Sequence, residues 1–420
     1  MSSDFEQTSR TILTASEEAK PVAKSVYILP AQGNAFAVET GDSVVLVDAG
    51  PGGGVTRRMI ESLRHFTNLP VSAICYSHGH LGYNDGVRLW QQHNTERNEA
   101  PATLIAHENC LRRYRRYRET EGLQRVLAKV QFPGLTPAFA MVDPTLTFAA
   151  RLSLPARSRR IELLWVPSET DDSIAMWLPD DGILYAGAAF PGTTIPNIGT
   201  PLRTQRFTLR WAESCELMAS LGARKLVQEF GPLIDDPVEI EDRLSYTASI
   251  LRWFRQEVVT RMNLGMSEHE ILADMKYDSK MLDRPYLAAR YGAPEYIVRD
   301  LFREENGWWD RNPTSLHPAA PASAAAAIRA AIADPDAVFK QAEALRKTGE
   351  IQLALHVIDL LALSDDDDAI TDRARTLKAQ LCRERAKQVR PYVSKAMYES
   401  SARLLERGSP SWTGLITGGS

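Results

Sequence analysis

Cysteine is scarce in this sequence: 420 residues hold four, Cys75, Cys110, Cys215 and Cys382, with no C-x-x-C pair. That excludes a small disulfide-stapled fold, and the four read as reduced, mostly buried thiols. Long apolar runs are missing too, since nothing approaches the roughly 18 consecutive apolar residues that span a bilayer. An excess of one charge is also missing. Lys and Arg total 49 against 53 Asp and Glu, a formal charge of −4, which gives no global field for nucleic acid or anionic membrane. The first residues, MSSDFEQTSRTILTASEEAK, mix both signs and lack the apolar stretch of a secretory signal. These absences leave a cytoplasmic protein with a small-molecule substrate and no nucleic-acid or membrane partner as the expectation.

What is present begins at Val26 with short β-rich runs, VYIL, NAFAVET and SVVLVDAG, the last two separated by the turn pair Gly41 and Asp42. Then Met59, Ile60, Leu63 and Phe66 recur at helical spacing, VSAICY reads as a buried strand, GVRLWQQH as a helix and ATLIAH as another strand. The middle of the chain repeats the theme with RIELLWVP, a hairpin around Asp181 and Gly182, the helix TLRWAESCELMASLG and the short strand KLVQEF. From Asp236 and Pro237 onward the strands stop and helical periodicity takes over. Ser267 and Glu270 there stand at capping-box spacing, and the DDDD run at 365–368 suits a helix start. The small residues around Ala342, Leu345, Gly349 and Ala354 suggest paired antiparallel helices of tetratricopeptide type. The fold class expected is α/β, from alternating strands and helices, followed by an all-α domain. The divisions are an N-terminal extension 1–24, a mixed domain 25–240, a helical domain 241–390 and a tail 391–420.

The chemistry concentrates in CYSHGHLGYNDG. His78 and His80 are two apart at the end of a strand, where residues i and i+2 project to one side, so both imidazoles can converge on one ion. Two neutral imidazoles need a further, preferably anionic, ligand, and Glu169 in PSETDDS stands at another strand end.

The order of these parts resembles the metallo-β-lactamase superfamily, and within it the alkylsulfatase branch. Ser168, Glu169, Thr170, Asp171 and Asp172 match that branch's G-E-T-D-D, and Pro196 and Asn197 match its P-N motif. YGAPEYIVRDLFREENGWWDRNPTSLHP matches the signature of its helical dimerisation domain. The resemblance, running from about residue 25 to 385, implies an αββα sandwich followed by that helical domain, and a homodimer paired near Trp308 and Trp309. The family's sterol-carrier-like third unit is expected to be absent.

The departures from the family pattern are orderly. Gly82 and Tyr83 stand where H-x-H-x-D-H has its Asp and last His, Ala188 stands at the acidic bridge and Phe230 at the late histidine. Every ligand particular to a second ion is replaced, whereas His78, His80 and Glu169 remain. The expected cofactor is one divalent metal, zinc or Fe(II). Zinc would supply hydroxide near neutral pH, and two histidines with one carboxylate are also the ligand set of non-haem iron oxygenases. Asp85, Asp171 and Asp172 are the residues that could supply a substitute ligand for a second ion. Tyr83, Asn197 and Arg203 are the candidate catalytic residues, Tyr83 through its phenol and the other two by analogy with sulfate recognition after the P-N motif; Arg206 lies in the same loop. Asp48 is expected to brace the histidine loop.

Three functions remain open at this level. The first is a metal-dependent hydrolase of a sulfate, phosphate or carboxylate ester, acting on an anionic substrate with an apolar body. The second is a redirected Fe(II) oxygenase or lyase, and the third a non-catalytic dimeric binding protein. The basic run RRYRRYR, Arg112 to Arg118, reads as a solvated helix face.

Overall fold

The computed structural model describes residues 18–133 and 138–408. Two compact units lie within it, one inside Met1–Glu121 with Thr136–Glu305, the other inside Gly122–Leu135 with Asn306–Ser420.

The first unit opens with strands β1 (Lys20–Ala23), β2 (Val26–Ala31), β3 (Gly33–Glu39) and β4 (Val44–Val47), then helix α1 (Gly53–Arg64), β5 (Val71–Cys75), α2 (Val87–Glu96), β6 (Thr103–His107) and α3 (Asn109–Glu119). Helix α4 (Glu121–Gln131) falls almost wholly in the second unit, and the chain then returns with β7 (Leu146–Phe148). The seven strands form one sheet in sequence order, antiparallel from β1 to β4 and parallel from β4 to β7. A second sheet contains β8 (Arg151–Leu154), β9 (Ile161–Trp165), β10 (Ile174–Leu178), β11 (Ile183–Gly187) and β12 (Lys225–Gln228), in the order β12-β11-β10-β9-β8.

Strand periodicity sorts the side chains into layers. On β3, Phe36 and Val38 enter the core between the sheets, whereas Ala35 and Ala37 pack with Met59, Leu63, Trp90 and Tyr114 on the helix side. On β10 and β11, Ile174, Met176, Ile183 and Tyr185 join the inter-sheet core; Trp177 and Leu184 pack with helices α5 (Thr208–Ser220) and α6 (Pro237–Asn263). The result is an αββα sandwich. Strands covered on both faces must be apolar throughout, which is why VVLV and ILYAG read as continuous hydrophobic runs.

Three features depart from the sequence pattern. Residues 20–23 lie in the stretch read as an extension, yet they pair with β2 as an edge strand. Strands β7 and β8 were not legible, because they are short and mostly exposed and so lack an apolar signature. Helix α6 begins at the pattern change, capped by Asp236 with Pro237 in its first turn, and Ile240, Leu244, Leu251 and Phe254 complete the same core as the second sheet. The unit ends with α7 (Glu268–Asp274), which carries the Ser267–Glu270 capping box, then α8 (Ser279–Leu282) and α9 (Pro294–Asn306).

The second unit is helical. It contains α10 (Pro313–Leu316), α11 (Pro321–Ala330), α12 (Pro335–Lys347), α13 (Ile351–Ala362), α14 (Ala369–Gln388) and α15 (Tyr392–Glu406), and α12 to α15 pack each on the next. Asp368, last of the DDDD run, caps α14 by accepting from the amides of Ile370 and Thr371. Helix α15 falls in the stretch read as tail, but Ala402 and Leu405 enter the helical core, and Tyr392 and Ser400 donate to carbonyls of α4. The sequence SPSWTGLITGGS, the end of the stretch read as tail, lies outside the described residues.

Candidate metal centre

Both sheets deliver polar residues to one end. Strand β4 ends at Asp48, a non-glycine residue held at φ 66°. Its carboxylate accepts from the Ser77 amide at 2.8 Å, from Asn84 Nδ2 at 3.0 Å and from the Tyr185 hydroxyl at 3.3 Å. These bonds tie both ends of the loop after β5 to the sheet, and a left-handed residue persists only where its surroundings fix it. Burial pushes the Asp48 carboxyl up to about 6, against those hydrogen bonds.

The loop places His78 and His80 edge to face, with His78 Nε2 3.1 Å from His80 Nδ1. On its other side His78 Nδ1 meets the Ser77 hydroxyl at 2.9 Å, an outer contact of the kind that sets the tautomer of a ligating imidazole. Glu169, in the loop from β9 to β10, brings Oε2 to 3.9 Å from His78 Nε2 and Oε1 to 3.6 Å from His80 Nδ1. Candidate ligand atoms of these three residues all lie within 4.8 Å of one another, the group of this kind found among the described residues. Burial drops His78 to about 4 despite the nearby Glu169, and burial together with His78 lowers His80 well below its ordinary value. Two neutral imidazoles and a carboxylate are the donors a divalent cation takes, so the residues present fit one ion.

Glu169 is itself held in place. Its Oε1 accepts from Asn197 Nδ2 at 2.8 Å and from Arg206 Nη2 at 3.2 Å, and Arg206 Nη1 also donates to the Asn197 carbonyl at 2.5 Å. Of the two loop arginines, Arg206 is the buried one that reaches the glutamate; Arg203 is half-buried and donates to the Leu202 carbonyl.

The space on the other side of His78 is filled by side chains. Tyr83 packs edge-on against His78, ring centroids 4.3 Å apart, and its hydroxyl donates to Glu229 Oε1. Glu229, at the end of β12, is 3% exposed; burial, then the charge of Glu169, drives its carboxyl well above the ordinary range. Ala188, the residue expected to replace the family's acidic bridge, is buried. Gly82 sits at φ 93°, and a Cβ there would come within 2.1 Å of Gln32 Oε1, so an aspartate cannot enter without displacing Gln32.

Asp85, Asp171 and Asp172 stand outside the ligand group. Asp85 accepts from the Gly82 amide, and the other two grip Arg113, whose Nη2 lies 2.5 Å from Asp171 and whose Nε lies 2.8 Å from Asp172. Arg113 belongs to the run read as a solvated face. Helical phase turns it inward with Cys110, Tyr114 and Tyr117, so that reading holds only for the outer side. Gly79 lies beneath this contact, where a Cβ would meet Asp172 Oδ2 at 2.7 Å and Arg113 Cδ at 2.9 Å. His107 plays no part in the centre, since it bonds the Ala149 carbonyl and stacks on Trp165.

Glu229 and Arg113 are the two site residues that sequence reading missed. An acidic residue ending an otherwise apolar strand was the available signal for Glu229, and the i, i+3, i+4 phase of CLRRYRRY was the signal for Arg113.

A cavity of about 300 Å³ opens beside Glu169, lined by Arg112, Arg113, Arg116, Arg206 and Arg210 with Asp171, Pro167 and Phe207 among its other walls.

Comparison with known proteins agrees with this fold. Residues 28–229 match the metallo-β-lactamase superfamily and residues 267–408 match the alkyl sulfatase dimerisation family. A linear primary-alkylsulfatase from a Pseudomonas strain is 25% identical over 365 residues, 82% of this chain and 68% of the relative. An (R)-specific secondary-alkylsulfatase from Pseudomonas is 23% identical over 90% of this chain and 61% of its own length. The solved stereoselective inverting sec-alkylsulfatase Pisa1 from Pseudomonas superposes with a TM-score of 0.82 at 20% identity, covering 94% of this chain and 66% of that one. The chain therefore spans about two thirds of the length of the relatives it matches. The chain thus joins a metallo-β-lactamase superfamily domain to an alkyl sulfatase dimerisation domain.

Proposed function

We propose that the protein is a metal-dependent hydrolase that cleaves a sulfate ester of a partly apolar alcohol at a single divalent ion held by His78, His80 and Glu169. The observation that carries this reading is the convergence of two neutral imidazoles and one braced carboxylate at the mouth of the αββα sandwich. When bound, zinc would polarise the ester and lower the pKa of a water it holds to about 7. The chain's own contributions are distinct from that chemistry. Asn197 and Arg206 fix Glu169 so that Oε2 stays turned toward His78, and Asp48 fixes the loop that carries the histidines. The half-buried Arg203 lies at the same edge and supplies a guanidinium for an anionic ester. Tyr83 closes the neighbouring volume, so water and substrate meet the ion from the side of His80, whose side chain keeps 18% of its surface exposed.

The exposed Trp308 and the dimerisation family match support a homodimer formed through the helical domain. Four free, buried cysteines suit a cytoplasmic location, and no described helix is long and apolar enough to cross a membrane.

The test is metal analysis of protein purified without chelators, paired with sulfate release from octyl sulfate. One equivalent of zinc and chelator-sensitive release are expected; release that persists in metal-free protein overturns the proposal. The ligand set itself favours one second reading, an Fe(II) oxygenase. One equivalent of iron and substrate-dependent oxygen uptake would establish that reading in place of hydrolysis.

A further inference from the structure

The cavity beside Glu169 holds more positive charge than one ester needs. Five arginines face two carboxylates, Glu169 and Asp171, in a chain whose formal charge is −4. Two of the five are committed: Arg113 to Asp171 and Asp172, and Arg206 to Glu169. The other three, Arg112, Arg116 and Arg210, join no ion pair among the described residues. Arg112 and Arg116 stand one turn apart on α3, and Arg210 faces the same cavity from the first turns of α5. Like charges four apart on a helix oppose its stability, and among the described residues guanidinium groups of this set have ring contacts, such as Arg116 over Tyr117 at 5.1 Å, but no carboxylate ion-pair partner. The same wall is partly apolar. The Arg210 guanidinium lies over the Phe207 ring at 4.5 Å, and Phe207 and Pro167 line the space that leads toward Glu169.

We propose that the substrate carries a second anionic group at the far end of its apolar body, and that Arg112, Arg116 and Arg210 form the subsite that receives it. The inference rests on the ester-hydrolase reading above for the identity of the first anion. A volume of about 300 Å³ lies at the lower end of small-molecule sites, enough for a short aliphatic body. Guanidinium groups pair with a carboxylate or a sulfate alike, so the class is an α,ω-dianion: the sulfate ester of a hydroxy acid, or a disulfate.

The experiment is calorimetric binding to the full-length, zinc-loaded protein of three probes: octyl sulfate, octane-1,8-disulfate and 8-(sulfooxy)octanoate. Both dianions are expected to bind about tenfold more tightly than octyl sulfate, with the advantage shrinking as salt rises. The Arg112→Gln/Arg116→Gln/Arg210→Gln variant should bring that ratio to about one. All three side chains lie at the protein surface or half-buried, and the single variants Arg112→Gln and Arg210→Gln, each lowering the ratio in part, serve if the triple variant folds poorly. Preference for only one dianion would identify the terminal group. Equal affinity for all three probes, or a ratio untouched by the substitutions, overturns the subsite. The binding ratio is independent of turnover: sulfate release without a dianion preference removes the subsite and keeps the hydrolase, and the converse does the reverse.

Discussion

The two halves of the centre are built from one loop and treated in opposite ways. On the His78 and His80 side, ring nitrogens face a carboxylate that accepts two further hydrogen bonds, an arrangement that leaves donors directed at a shared point. On the Tyr83 side, a phenol bonded to a buried carboxyl, with Gln32 close against Gly82, fills the space beside His78. Removing a cation from a buried acidic site leaves volume and charge that have to be answered. Here a ring takes up the volume, and burial with the charge of Glu169 holds the Glu229 carboxyl well above its ordinary range. The difference supports the one-ion reading proposed above.

That contrast can be broken most forcefully at Glu169. Glu169→Gln should weaken metal retention by more than about 100-fold, since even outer contacts of a metal site are worth about 10- to 100-fold. Equilibrium dialysis with zinc measures it, and unchanged affinity would remove Glu169 from the ligand set. A reversal of the Tyr83 side sharpens the comparison: Gly82→Asp with Tyr83→His restores ligand types without room for them. The double variant is expected to stay at one equivalent of metal and to lose at least about 2 kcal/mol in urea unfolding, from a left-handed non-glycine residue and a disturbed buried hydrogen bond. Binding of two equivalents would show that the filled side is only a lid over an intact second site.

A smaller effect concerns Asp85, which supports the same loop by accepting from Gly82. Burial raises its carboxyl from 3.8 to about 6, so the folded protein holds that proton more tightly than the unfolded chain. The ionised form therefore costs stability above about pH 6, and the cost disappears as pH falls through 6 toward 3.8. Asp85→Asn, which keeps an acceptor for the Gly82 amide, should gain about 2 kcal/mol at pH 7.5, with the gain fading toward pH 4. Denaturant titrations at the two pH values decide it, and a gain independent of pH would show that charge is not the cause.

Much of this centre could be read before any coordinates, because strand ends fix where consecutive side chains project. His78 and His80 follow from the strand VSAIC, and Glu169 from RIELLW; both are local facts of the chain. Glu229 was hidden because its role depends on a distant pairing. The Asn34 amide and side chain hold the end of β12 against β3, donating to the carbonyls of Glu229 and Gln228, and no local pattern reports that. Arg113 was hidden for another reason. In a run with five arginines, helical phase separates the buried member from its neighbours, yet the phase is set by packing of Tyr114 and Tyr117 against the sheet. The sandwich was legible from its doubly covered strands, whereas β1, β7 and β8 lack that signature because each is exposed on at least one face.

Gly79 links the two functional surfaces more tightly than the chain's connectivity suggests. With no space for a methyl group between the histidines and the Arg113–Asp172 pair, helix α3 and the ligand loop meet in direct contact at this glycine. Anyone reshaping the arginine wall to accept a new substrate would have to redesign the guanidinium side chains on the outer flank of that helix and leave the segment 78–80 as it stands, because repositioning the helix axis would carry the imidazoles with it.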